Sequence, residues 1–119
     1  MTVYDFITEI EKYYGKYDSD HRREVVREYL RLNIKENEIN KLYLLTLENF
    51  STQYGKVPDI AVFTRIINQY NDEHGEWYRY ADGRVEWIGE GIGITKPDRE
   101  RIDSPGVKRI EERTGQYTT

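Results

Sequence analysis

Residues 37–55, NEINKLYLLTLENFSTQYG, decide the fold. Ile39, Leu42, Tyr43, Leu47, Phe50 and Tyr54 recur at helical spacing, which lays them along one face of an α-helix. Leu44 and Leu45 widen that stripe. Asn37 is a suitable N-cap and Gly55 a suitable stop, so the stretch predicts a helix closed by that glycine.

Similar patterns flank it. Toward the N-terminus, Val3, Phe6, Ile7, Ile10 and Tyr14 form one apolar face, with Thr2 and Asp5 in capping-box positions and Gly15 as the stop. A second helix starts at Asp18 or Ser19 and is expected to bury Val25, Val26, Tyr29 and Leu30. Toward the C-terminus, Pro58 forces Val57 out of the helical region and Asp59 can cap a fourth helix. Ile60, Phe63, Ile66, Ile67 and Tyr70 make the apolar face of that helix, which ends near His74-Gly75. Connections this short favour antiparallel neighbours, so about residues 1–75 are expected to form a four-helix antiparallel bundle in a mainly α fold.

Beyond the helices the period changes to two. Residues 77–88 read WYRYADGRVEWI, with Asp82-Gly83 as the signal of a two-residue hairpin turn. Counting outward from that turn pairs Tyr80 with Val85, Arg79 with Glu86, Tyr78 with Trp87 and Trp77 with Ile88. Those are an opposite-charge pair, an aromatic pair and aromatic–β-branched pairs, the combinations that stabilise neighbouring strands. A lone hairpin is marginal in water, so its Tyr78, Tyr80, Val85, Trp87 face is expected to pack on the bundle or on a partner. Helices and hairpin together make a domain over 1–89. Residues 90–119 are too poor in apolar side chains for a core and are expected to be a largely disordered, flexible tail, with a short helix started by Ser104-Pro105.

Composition narrows the function. The chain has 119 residues, 18 Lys and Arg, 22 Asp and Glu, a net charge of −4 and no cysteine. Zero cysteines exclude a disulfide framework, a thiolate zinc site and a cysteine nucleophile. No apolar run approaches the ~20 residues of a membrane span, and the acidic start does not read as a signal peptide. The expectation is a cytoplasmic protein with no membrane association. Aromatics are numerous, 11 Tyr, 3 Phe and 2 Trp, and tyrosine needs a partner for its hydroxyl, so the core should have wet edges.

Candidate chemistry is sparse. Gly89-x-Gly91-x-Gly93 lacks the Lys-Ser/Thr and the following helix of a phosphate loop, and reads as a linker. His21 beside Asp18 and Asp20, and His74 after Asp72 and Glu73, sit at helix ends, where acids act as caps and histidine as a dipole partner. No catalytic residue, metal or cofactor is expected, and the chain does not read as an enzyme. The second helix carries Arg23, Arg27, Arg31 and Lys35 at four-residue steps, a basic line able to meet phosphates. Glu24 and Glu28 lie three residues before Arg27 and Arg31 and can absorb much of that charge.

Two stretches, YYGKYDSDHRREVVREYLRL at 13–32 and FSTQYGKVPDIAVFTRI at 50–66, resemble the N-terminal domain of the small phage replicative-helicase loaders. The likeness runs over roughly residues 3–67. It lies in the aromatic turn Tyr13 to Tyr17, the Tyr29-Leu30 centre, the long third helix and the Val57-Pro58-Asp59-Ile60-Ala61 turn. The resemblance implies an all-helical N-terminal domain and a flexible C-terminal region that engages a hexameric replicative helicase. On that basis the chain is expected to be a non-enzymatic protein-binding module, a loader or modulator of such a helicase. Trp77, Tyr78, Arg79, Tyr80 and Trp87 of the hairpin, and Val107, Arg109 and Ile110 of the tail, are its expected partner contacts. Trp, Tyr and Arg are the types enriched in interface hot spots. Two alternatives stand beside it. One is a small phage inhibitor that blocks a host defence or nucleic-acid-handling complex; the other, a DNA-binding regulator, would use the basic second helix.

Overall fold

A computed structural model describes residues 1–94. Four helices are followed by a two-stranded antiparallel hairpin: α1 (Val3–Tyr14), α2 (Asp20–Asn33), α3 (Glu36–Asn49), α4 (Ile60–His74), β1 (Gly75–Arg79) and β2 (Val85–Gly89). The fold is mainly α. Its contacts divide the chain inside α4 into two compact units, residues 1–69 and a second unit beginning at Tyr70.

In the first unit the apolar stripes do what their spacing implies. Phe6 and Ile10 of α1, Val26 and Leu30 of α2, Ile39 and Leu42 of α3, and Phe63 and Ile66 of α4 are all buried. Phe6 sits at the centre of this core, with its ring 5.4 Å from Phe63 and 6.1 Å, edge-on, from Tyr43. The capping box of α1 is present: the Thr2 hydroxyl accepts from Asp5 N–H and the Asp5 carboxylate accepts from Thr2 N–H, both at 3.1 Å. Those bonds hold the Asp5 carboxyl below its ordinary range. Ser19 caps α2 through Arg22 N–H, and Asp59 caps α4 through Val62 N–H.

The wet aromatic edges are tyrosines. Tyr14 donates to the carbonyls of Thr46 at 3.1 Å and Phe50 at 2.7 Å. Tyr17, buried, donates to the Pro58 carbonyl at 2.7 Å. Tyr29 and Thr64 share a hydroxyl–hydroxyl bond of 2.8 Å between α2 and α4. A hydroxyl placed at the rim of the core finds a carbonyl left over at a helix end or turn, so the aromatic body can be buried without stranding its polar tip.

Several expectations need correction. Helix α3 is capped at Lys35, not Asn37, because the Glu38 carboxylate reaches back to Lys35 N–H at 2.9 Å. It ends at Asn49; Phe50 closes it, and Thr52–Tyr54 form a separate single 3-10 turn stopped by Gly55. Val25 and Leu44 are 44% and 51% exposed, so the stripes of α2 and α3 are narrower than their apolar content.

The hairpin register differs by one residue. Trp77 pairs with Trp87, Tyr78 with Glu86, Arg79 with Val85 and Glu76 with Ile88. The connection has three residues, not two. Gly83 N–H donates to Tyr80 O at 3.0 Å, and Tyr80 N–H to Arg84 O at 2.9 Å, so Ala81, Asp82 and Gly83 form the loop. Gly83 sits at φ +88°, the left-handed position that lets a tight turn be followed by a bulge into the next strand. Because side chains alternate, the one-residue change reassigns both faces of the sheet.

The chain after the hairpin is also different from expectation. Ile92 is 1% exposed and both of its backbone polar groups bond the side-chain amide of Asn71. The stretch Glu90–Ile94 therefore belongs to the second unit and is no linker. Residues 95–119, with the expected short helix and the contacts Val107, Arg109 and Ile110, lie outside the described residues.

Candidate functional site

The hairpin follows α4 without a connecting loop: His74 is the last helical residue and Gly75 the first of β1. The second unit secures this junction through polar contacts that span sequence. Glu90 N–H donates to His74 O at 2.9 Å, the Tyr70 hydroxyl donates to the Glu90 carboxylate at 3.0 Å, and the Tyr70 and His74 rings stack at 4.1 Å.

Alternation divides the expected contact residues between two faces. Trp77, Arg79, Val85 and Trp87 share one; Glu76, Tyr78, Tyr80, Arg84, Glu86 and Ile88 share the other. Trp77 and Trp87 meet edge to face, centroids 5.4 Å apart at 76°, an arrangement favoured by the ring quadrupoles. The Trp87 indole lies over Gly75, where a Cβ would fall 2.6 Å from the ring, and its Nε1 donates to the Glu90 carbonyl at 3.2 Å. So Trp87 is fixed both by stacking and by a hydrogen bond, and a side chain at position 75 would displace it.

The tyrosine face is polar at its rim. The Tyr80 hydroxyl donates to Glu86 at 2.8 Å, the Tyr78 hydroxyl donates to Glu76, and the Arg84 guanidinium lies 4.3 Å from the Tyr80 ring centroid. This face presents aromatic bodies bordered by one cation and two carboxylates. The arrangement suits a protein surface: apolar area with a few directional polar groups.

The basic line on α2 is differently placed. Arg23 pairs with Asp20 at 3.0 Å and Glu11 at 3.6 Å, and Arg22 with Asp18 at 3.1 Å. Arg27 bonds Glu24 and lies 4.3 Å over the Tyr4 ring. Arg31 grips Glu28 through Nε at 3.0 and 3.1 Å, which lowers the Glu28 carboxyl below its ordinary range. All three sequence-expected arginines therefore face carboxylates already, and Lys35 stands at the N-cap of α3.

Two grooves flank α2 in the first unit. One, of about 290 Å³, is lined by His21, Arg22, Val25, Val26, Asp59, Ile60 and Ala61. The other, of about 250 Å³, is lined by Tyr4, Ile7, Thr8, Glu11, Arg23, Glu24 and Arg27. Among the described residues no group of three or more His, Asp or Glu side chains is placed to hold a metal, and no helix is long and apolar enough to cross a membrane.

Sequence reasoning missed Asn71, Ile92, Gly75 and Glu90, the residues that seat the hairpin. The only local signal was Ile92 itself, an apolar side chain amid glycines. Comparison with protein-family models, curated proteins and solved structures finds no match for the chain.

Proposed function

We propose that the chain is a non-enzymatic protein-binding module whose contact element is the hairpin. The observation that supports this reading is the composition and seating of residues 77–87. Both tryptophans of the chain, two tyrosines and two arginines fall within that span. The hairpin's aromatic side chains are only half-buried, while its end is fixed to α4 by directional bonds. Large, pre-positioned aromatics with arginine beside them lose little freedom on binding, which is the property of interface anchors.

The likeness of residues 3–67 to the helicase loaders points to the partner: a hexameric bacterial replicative helicase, which the chain loads or modulates. The test is direct binding of the purified chain to such a helicase. Binding that is lost in a Tyr78→Ala/Arg79→Ala variant with unchanged helical circular dichroism supports the proposal. Binding unaffected by that variant, or none with the native chain, removes it. Recovery instead of a nuclease or defence complex from lysate, with no helicase, replaces the loader with an inhibitor.

A further inference from the structure

Arg84 and Glu86 stand two positions apart on the tyrosine face, both exposed, yet they do not pair with one another. The Arg84 guanidinium lies instead over the Tyr80 ring, 4.3 Å from its centroid, and the Glu86 carboxylate accepts from the Tyr80 hydroxyl at 2.8 Å. Among the described residues neither takes part in an ion pair. The arginines of α2 behave differently, since Arg23, Arg27 and Arg31 each face a carboxylate. Tyr80 thus carries a cation on its ring face and an anion at its hydroxyl, each held by a neutral group.

That is the outline of a guanidinium site. Arginine presents a flat cation that stacks on an aromatic face and a fork of N–H donors that fits a carboxylate. The Tyr80 ring and the Glu86 carboxylate supply both halves, and Arg84 uses only the first. Charge around the site also favours a cation. Residues 70–94 hold six carboxylates, Asp72, Glu73, Glu76, Asp82, Glu86 and Glu90, against Arg79 and Arg84, a net −4. Residues 1–69 are nearly neutral, with 10 basic and 11 acidic side chains, so the attraction for a cation is concentrated at the hairpin.

We propose that Tyr80 and Glu86 form a recognition site for an arginine in a basic segment of the protein partner, which displaces Arg84 from the ring. The inference rests on the hairpin being the contact element and adds the chemistry of what it meets. Arg84 covers the ring in the free chain. Exchange trades one cation–ring contact for another and gains a charge-assisted bond to Glu86.

The test is NMR titration of the full ¹⁵N-labelled chain with an acetylated arginine–glycine repeat peptide at near-physiological salt, where distant charges are screened. A glutamine–glycine peptide is the control. The expected result is saturable shifts of the Tyr80, Arg84 and Glu86 amides with the arginine peptide and none with the control. Arg84→Ala vacates the ring and should tighten binding about threefold. Glu86→Gln keeps an acceptor for the Tyr80 hydroxyl but removes the charge, and should weaken binding about threefold. Arg79→Ala removes the same charge from the other face and should change the affinity far less. Shifts absent from the hairpin overturn the proposal. So does an equal gain in Arg84→Ala and Arg79→Ala, which reduces the effect to net charge. A hairpin that binds the helicase but not the peptide loses this site and keeps the reading above. One that binds the peptide but no helicase keeps the site and loses that partner.

Discussion

The Asn71 side chain brackets Ile92, donating from Nδ2 to the Ile92 carbonyl at 2.9 Å and accepting at Oδ1 from the Ile92 N–H at 2.7 Å. An amide side chain here takes the place of a neighbouring strand. It satisfies both backbone groups of a residue that is 1% exposed, and so permits the chain leaving the hairpin to be buried. The hairpin is held at its base by this bracket and by the bonds of Glu90.

Replacing Asn71 by Ala should therefore cost more than an ordinary hydrogen bond. Two buried backbone groups lose their partners, for an expected loss of about 2–4 kcal/mol. Denaturant unfolding checks the magnitude, and amide exchange at Ile92 checks the location. Exchange at Ile92 as slow as in the native chain would show that the bracket is not what protects it.

Gly75→Ala should disturb the tryptophans specifically. Its Cβ would lie 2.6–2.7 Å from the Trp87 ring, and rigid backbone and indole must separate. Overpacking of this kind costs about 1–3 kcal/mol. Both tryptophans of the chain are in the hairpin, so a shifted fluorescence maximum reports the displacement without interference.

These two residues also show what the sequence could and could not disclose. Periodicity carried the four helices, because a stripe such as Phe6, Ile7 and Ile10 records burial within a few residues. The Lys35 cap was legible in principle from Glu38 three residues on, but Asn37 is intrinsically the better capping residue and drew the expectation. Asp-Gly marks a turn of either two or three residues; the two-residue form needs positive φ at both residues, here only Gly83 has it and Asp82 does not, and with that difference went the strand register and both faces. The bracket joins positions 21 residues apart and leaves no periodic trace. The aromatic cluster of residues 77–87 is legible in the sequence, but its division into a tryptophan face and a tyrosine face is not.

Alkaline pH should destabilise the first unit through Tyr17. Burial, with Glu11 and Asp59 nearby, pushes its hydroxyl well above the ordinary tyrosine range. The unfolded chain ionises first, so the stabilisation is complete below the unfolded value near pH 10 and is lost as pH rises beyond it. Tyr17→Phe should lower stability at neutral pH by about 1 kcal/mol, through loss of the bond to the Pro58 carbonyl. The variant should also flatten the alkaline decline. Urea midpoints of both proteins from neutral to alkaline pH separate the two effects, and an equally steep decline in the variant would assign it elsewhere.

The α2 arginines should not hold duplex DNA in the native chain. Arg23, Arg27 and Arg31 each face a carboxylate, so phosphates would have to compete with partners already in place. Fluorescence anisotropy with labelled duplex should show no more than weak retention at low salt, increased in Glu24→Gln/Glu28→Gln. Tight, steeply salt-dependent binding by the native chain, lost on changing the three arginines to Ala, would instead favour the DNA-binding reading.

The hairpin as contact element is tested most directly by ¹⁹F NMR of chain labelled with 5-fluorotryptophan, titrated with a purified hexameric bacterial replicative helicase. Only Trp77 and Trp87 carry the label, so the spectrum has two resonances and both belong to the hairpin. Saturable shifting or broadening of both resonances, lost in Tyr78→Ala/Arg79→Ala, is the predicted result. Two resonances that stay unchanged at saturating helicase would contradict the account.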